Sequence, residues 1–426
     1  MKDTGFITVL LIAISLLIWI VADLKTGGAA TSQLLFSSPL DTGMDFFSSV
    51  QYTQGANPYL WFGTVYPPLA NLFFYFMYRM LPDYVKETIP TSMLDIMNAR
   101  GTSADLRTTQ AGLMEFILYT IVTILLLYIL LESILRDRTK APGITVSAST
   151  ITALALCGTI GVLYAIERGN IILLALVLTL FYLKHYRSDN LFFSEAALIA
   201  LAVAPNLKLY PVFFGVLLLC DKKYFKAIRA AIYGLLLFVW SAGFFGGRIA
   251  IGLFIQTLTG FTETGTQNFA YFGLQGIVKM ITYFGLAISG READITPYAP
   301  LFDKAQTASY VIAVALVIFV FFINDEWKRY LYITIATFTV QQSATYTIAF
   351  LLCAFAYCRK PSTPLYFIML LMMLPLPIFG LNIPIEGYPA YTFNAMVPQI
   401  CYSILLIYCL YSGILCMLNS RKGQRQ

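Results

Sequence analysis

Residues 6–22 read FITVLLIAISLLIWIVA, an uninterrupted uncharged run with Lys2 before it and Asp23 after it. A bilayer's hydrocarbon core takes roughly 20 helical residues to cross, so this run and its flanks suffice for one passage. No small-residue cleavage site follows, and further apolar runs do, so it reads as a retained first span and not as a removable signal.

The rest of the chain has the same character. Of 426 residues, 58% are apolar and 12% charged, where soluble domains carry roughly 45–50% and about 25%. Mean hydropathy is +0.73. Water cannot be the main solvent of such a chain, and no sizeable soluble domain fits beside its spans. The expected fold class is an all-α polytopic integral membrane protein, with residues 1–426 as a single transmembrane domain. Six of the seven cysteines, Cys157, Cys220, Cys353, Cys401, Cys409 and Cys416, lie in apolar runs without metal-ligand spacing, and read as small packing residues.

Basic clusters punctuate the apolar runs at Arg136/Arg138/Lys140, Lys184/Arg187, Lys222/Lys223/Lys226/Arg229, Lys328/Arg329, Arg359/Lys360 and Arg421/Lys422/Arg425. Positive residues in short loops mark the cytoplasmic side. Placing all of them inside with Lys2 predicts about twelve spans: 6–22, 113–135, 144–165, 170–184, 192–206, 209–220, 230–248, 307–323, 330–341, 347–358, 364–380 and 394–417. Both termini then lie in the cytoplasm. Several spans are too short to cross alone, so their halves meet at irregular backbone, which a membrane tolerates only beside protein or a wet cavity. The breaks are polar, at 206–211 and 341–346, and fall on the outer side.

Two stretches are left as large external loops. Residues 23–112 hold turn chemistry, an amphipathic piece from Asp45 to Gln54 and an aromatic run, Phe73 to Tyr78, ending at Arg79 and Pro82. Residues 249–306 hold Gly-Thr-rich turns and an amphipathic Phe269 to Phe284. Aromatic-rich amphipathic helices suit the headgroup zone, where a site acting on lipid-linked substrates would lie. At helical spacing Asp45 shares a polar face with Ser48, Ser49 and Tyr52, opposite Phe46, Phe47 and Val50. Arg168 and Lys208 stand alone in short external turns, against the positive-inside pattern, and an ionisable group at membrane depth is a functional candidate.

The string Asp45-Phe46-Phe47 through Tyr52, then Gly55-Ala56-Asn57-Pro58-Tyr59 and Tyr66-Pro67-Pro68-Leu69, resembles the first external loop of glycosyltransferase family 87. The resemblance continues at Glu167-Arg168-Gly169-Asn170 and at Lys208-Leu209-Tyr210-Pro211, and covers the first 250 residues. It implies a GT-C-type fold and transfer of a hexose, mannose first, from a polyprenyl-phosphate donor to a lipid-linked or cell-envelope glycan acceptor on the extracytoplasmic face of the cell membrane. Asp45 is then the general base, Arg168 and Lys208 hold the donor phosphate, and Tyr52, Tyr59, Asn170, Tyr210 and Asn268 contact substrate. The chemistry is sound on its own terms: a placed carboxylate accelerates proton removal by roughly 10²–10⁴-fold, and a leaving phosphate needs fixed positive charge.

The same residues carry plainer readings. Asp45 caps its helix, as Asp41 does or turns the chain before it; Arg168 anchors at the interface beside Glu167; the tyrosines are interface aromatics. An envelope polysaccharide polymerase would use Arg79, Arg100 and Arg107 in the first loop. A transporter or lipid flippase would show internal repeats, and none is visible. The single histidine, His185, falls in a cytoplasmic loop, no nucleotide cradle is present, and the first external loop lacks the Asp-x-Asp spacing of a bound divalent cation. No cofactor, metal-ligating residue or nucleic-acid partner is singled out, and a need for a metal ion stays open; the expected partners are the lipid-linked donor, the glycan or glycolipid acceptor and membrane lipids.

Overall fold

The computed structural model describes residues 2–35, 42–55, 57–138, 146–264, 273–291, 296–340, 345–358, 364–376 and 393–423, and all regular structure among them is helical. Five helices are long and apolar enough to cross a membrane: Gly5–Thr26, Gln110–Asp137, Tyr224–Gly243, Thr296–Phe322 and Met396–Ser420. A sixth candidate is the pair Ala148–Cys157 and Ile160–Arg168, bent by 50° at their junction. Their outer faces are apolar and bare. Leu24 is 81% exposed, Met114 62% and Leu235 64%, a covering that suits hydrocarbon and not water. The protein is therefore a helical membrane protein.

The other expected spans are shorter. Ile172–His185, Leu191–Leu207, Tyr210–Cys220, Thr345–Phe355 and Pro364–Met373 are apolar helical segments of ten to seventeen residues, and at ~1.5 Å per residue even the longest rises only about 25 Å. The segment expected at 330–341 belongs to Glu326–Val340, where Tyr330, Leu331, Tyr332 and Ile333 are fully buried. Protein surrounds that helix from Tyr330 to Thr339.

The loop expected at 249–306 is largely helical, with Arg248–Thr264, Leu274–Ile288 and the start of Ala299–Phe319. Glycines at 252 and 260 and interspersed threonines dilute the apolar pattern there without breaking the helix. The first loop is also built of helices: Met44–Tyr52, Pro58–Phe62, Pro68–Met80, Asp83–Lys86 and Met93–Asn98. Pro68–Met80 opens on two prolines at residues 67 and 68, where a missing N–H costs nothing. It stops before Pro82, the residue preceding a proline being pushed to extended backbone.

The chain divides into two compact units. One comprises Met1–Leu34, Glu132–Gly161 and Gly265–Gln426. In it the first span packs on Val146–Cys157 and Ala299–Phe319 on Glu326–Val340. Thr339 and Tyr402 share a buried hydrogen bond of 2.9 Å. The other comprises Leu35–Leu131 and Val162–Thr264. Its core joins Phe46, Phe47 and Val50 to Tyr66, Ala70, Phe74, Tyr119, Ile171, Ala175 and Leu207. Asn206 ties Leu191–Leu207 to the next span, its Nδ2 donating to the Gly234 carbonyl at 3.0 Å.

Candidate active site

The helix that carries Asp45 starts at Gly43, whose φ of +67° is a left-handed turn residue's. The Gly43 N–H donates to the Glu167 carbonyl at 2.6 Å, which fastens this turn to the Arg168 turn. The Asp45 side chain does not cap its own helix. Of the polar face expected beside it, Ser48 and Ser49 are buried and Tyr52 is half-buried, while Phe46, Phe47 and Val50 opposite are buried. The helix is therefore embedded in the unit.

Gly169 supplies the matching turn. Its φ is +64°, and a Cβ there would lie 2.6 Å from Phe46 Cβ and 2.9 Å from Phe116 Cε2. Only glycine lets the two backbones come this close. The result is that Arg168 Nη2 donates to Asp45 Oδ1 at 2.8 Å, with both side chains mostly covered. Arg168, which also reads as an interfacial anchor beside Glu167, is thus paired with Asp45.

Asn170 completes the cradle. It is fully buried, and its Oδ1 accepts from the Ile172 N–H at 3.0 Å, which fixes the amide's orientation. The Nδ2 group then donates to Asp45 Oδ2 at 2.6 Å and to the Tyr66 hydroxyl at 3.1 Å. Tyr119 donates its hydroxyl to the Asn170 carbonyl at 3.0 Å. Asp45 therefore has one oxygen on a guanidinium and the other on an amide, and lone pairs remain on both.

Lys208 interrupts the apolar helices. Its backbone is extended, between the end of Leu191–Leu207 and the 3-10 turn Tyr210–Gly215 that Pro211 opens. Its ammonium lies 4.5 Å from the centre of the Tyr66 ring and 5.8 Å from that of Tyr210. Burial pushes this lysine down to about 8, against the pull of Asp45's charge. Burial, then Asp45, raises the Tyr66 hydroxyl well above its ordinary value and so keeps it protonated.

The remaining expected residues fall into three groups. Tyr210 sits beside Lys208, and Tyr52 stacks on Phe62 with ring centres 4.8 Å apart. Tyr59 is buried, and its hydroxyl donates to the Tyr66 carbonyl at 2.8 Å, so it fixes the strap that carries Tyr66. Asn57 starts that helix by accepting from Tyr59 N at 3.0 Å. Asn268, Asp41 and positions 341–344 of the polar break lie outside the described residues. Among the described residues no three His, Cys, Asp or Glu side chains gather as a metal group would need.

Tyr66 and Tyr119 are additions that sequence reasoning did not single out. Tyr66 stood in the string that carries the resemblance, before a double proline that fixes a rigid strap. Nothing local to it announces a hydroxyl meeting Asn170 from 104 positions away.

A half-buried carboxylate, two cations and an oriented amide thus lie together in a helical membrane protein. The family model of glycosyltransferase family 87 matches residues 110–344, just over half of the chain, and the chain belongs to that family. It is a membrane glycosyltransferase. The matched stretch contains Arg168, Asn170, Lys208 and Tyr210, and Asp45 and Tyr66 precede it. No curated protein and no solved structure matches the chain.

Proposed function

We propose that this glycosyltransferase moves one hexose, with mannose the first to test, from a polyprenyl-phosphate carrier to a lipid-linked or cell-envelope glycan acceptor. Transfer takes place on the extracytoplasmic face, in a single GT-C-type domain of about twelve spans, short segments included, with both termini cytoplasmic.

In this reading Asp45 accepts the acceptor hydroxyl's proton as that oxygen attacks the anomeric carbon. The bond from anomeric carbon to phosphate oxygen breaks, and the lipid phosphate leaves with the electron pair. Arg168 and Lys208 meet the charge that develops on it. A guanidinium has five N–H donors, and the bond to Asp45 uses one of them. Tyr52 and Tyr210 offer ring faces to the sugar or carrier, as Asn268 offers an amide.

The supporting observation is the Asp45 carboxylate held between Arg168 and Asn170, with the Lys208 ammonium one phenol ring away. Base and anion-binding charge are what phosphate departure from a sugar needs in one place. The Arg107 side chain of the first loop is taken by Asp105, bonded at 2.6 Å, which leaves it less suited to the charged track of a polymerase.

Membranes containing the protein, given radiolabelled polyprenyl-phosphate mannose or a nucleotide-linked mannose, test the reading. Consumption of the lipid donor alone, with a single-sugar product, is expected. Consumption of the nucleotide sugar alone, or a ladder of repeats, would overturn it.

A further inference from the structure

The geometry points to Tyr66 as a positioning residue that serves both halves of the centre: its hydroxyl steadies the Asn170 amide against Asp45, and its ring face holds the Lys208 ammonium where phosphate arrives. This rests on the roles proposed above for Asp45 and Lys208.

Three observations carry it. The Asn170 amide is fully buried, with Oδ1 committed to the Ile172 N–H. Its two Nδ2 hydrogens have two acceptors, Asp45 Oδ2 at 2.6 Å and Tyr66 Oη at 3.1 Å. Remove the phenol oxygen and one buried N–H loses its acceptor, so the amide gains by rotating or shifting away from the carboxylate. Tyr66 is itself tied down by its neighbours. Its carbonyl takes hydrogen bonds from Tyr59 at 2.8 Å and Asn71 at 3.2 Å, and its ring packs on Phe74 with centres 5.7 Å apart.

The ring does a second thing. A lysine has a flexible stem and a point charge, and Lys208 lies where helical backbone has given way. An aromatic face 4.5 Å from the ammonium attracts it through the ring quadrupole without neutralising it. The ring thus helps to hold the ammonium in place and leaves its charge intact. Asp45, Arg168, Lys208, Tyr119 and Tyr210 are the ionisable groups that surround the phenol.

Two substitutions separate the two tasks. Tyr66→Phe keeps the ring and loses the hydroxyl; Tyr66→Leu loses both. The probes are bare polyprenyl monophosphate, for binding, and polyprenyl-phosphate mannose, for turnover. Tyr66→Phe should bind the monophosphate like the unsubstituted protein while kcat falls roughly tenfold. Tyr66→Leu should lose as much in kcat and bind roughly three- to thirtyfold more weakly. Lys208→Met should reproduce the binding loss, and the double variant Tyr66→Leu/Lys208→Met should bind no worse than Lys208→Met alone.

An unchanged kcat in Tyr66→Phe, or equal binding by the Phe and Leu variants, overturns the inference. A binding loss that adds up in the double variant overturns the ring's role. If Lys208→Met binds the monophosphate normally, the phosphate role proposed for Lys208 fails first. Should Tyr66→Leu not fold, Tyr66→Trp, which keeps a ring face and removes the phenol, replaces it: normal binding with reduced kcat is expected, and weakened binding counts against the ring.

Discussion

The carboxylate of Asp45 and the guanidinium of Arg168, 123 positions apart in the chain, meet at 2.8 Å across two glycine turns. Gly43 turns one backbone and Gly169 the other, and the Gly43 N–H to Glu167 carbonyl bond fastens them. The charged pair is thus a product of backbone geometry, and its loss should follow from backbone changes that remove no charge.

Gly169→Ala is the direct case. It demands a left-handed backbone from alanine and sets a Cβ 2.6 Å from Phe46, for a combined loss of roughly 2–5 kcal/mol. Gly63→Ala has a similar φ of +56° but nothing nearer than 3.9 Å, so it should lose only about 1–2 kcal/mol. Thermal unfolding in detergent should rank the unsubstituted protein above Gly63→Ala and that variant above Gly169→Ala, with transfer activity reduced most in the last.

Tyr59→Phe separates support from substrate contact. The buried hydroxyl donates to the Tyr66 carbonyl, and losing it should cost about 1 kcal/mol of stability. Donor KM should stay unchanged. Steady-state kinetics beside a melting curve checks both; a raised KM at unchanged stability would return Tyr59 to the sugar.

Lys208 gives a pH dependence with a defined sign. It titrates at about 8 in the fold and at its ordinary 10.5 when unfolded. Below about 8 it is a cation in both states. Between those values the unfolded chain binds the proton that the fold has released, so stability from this group rises with pH there. Donor binding runs the other way, because the cation is lost as pH climbs past 8. Polyprenyl-phosphate mannose is a phosphodiester whose own charge does not change in this range. Its affinity should therefore fall from pH 7 to 9 in the unsubstituted protein and stay flat in Lys208→Met.

These residues also show which features a single sequence carries. The first span, the Gln110–Arg138 helix and the polar break at Lys208 were legible because each is written in consecutive residues: apolar length, or a charge and proline between apolar runs. Asp45, Arg168 and Lys208 stood out because they break local pattern. The Asp45–Arg168 pair, the Asn170 bridge and the Tyr66 ring depend on contacts across more than a hundred positions, and no local pattern records them. The helix Arg248–Thr264 was read as part of a Gly-Thr-rich external loop, although threonine and glycine do not break a helix that neighbours support, while the amphipathic piece at Phe269 to Phe284 overlaps the helix Leu274–Ile288. The fold also gathers apolar segments too short to cross alone, and hydropathy counts those segments as spans.

The transfer rate of purified Asp45→Asn protein with polyprenyl-phosphate mannose tests the centre most directly. The substitution keeps the side chain's size and removes its ability to take a proton at neutral pH. Transfer should drop by roughly 10²–10⁴-fold while bare polyprenyl monophosphate still binds; full transfer by folded Asp45→Asn protein would contradict the assignment of Asp45 as the base.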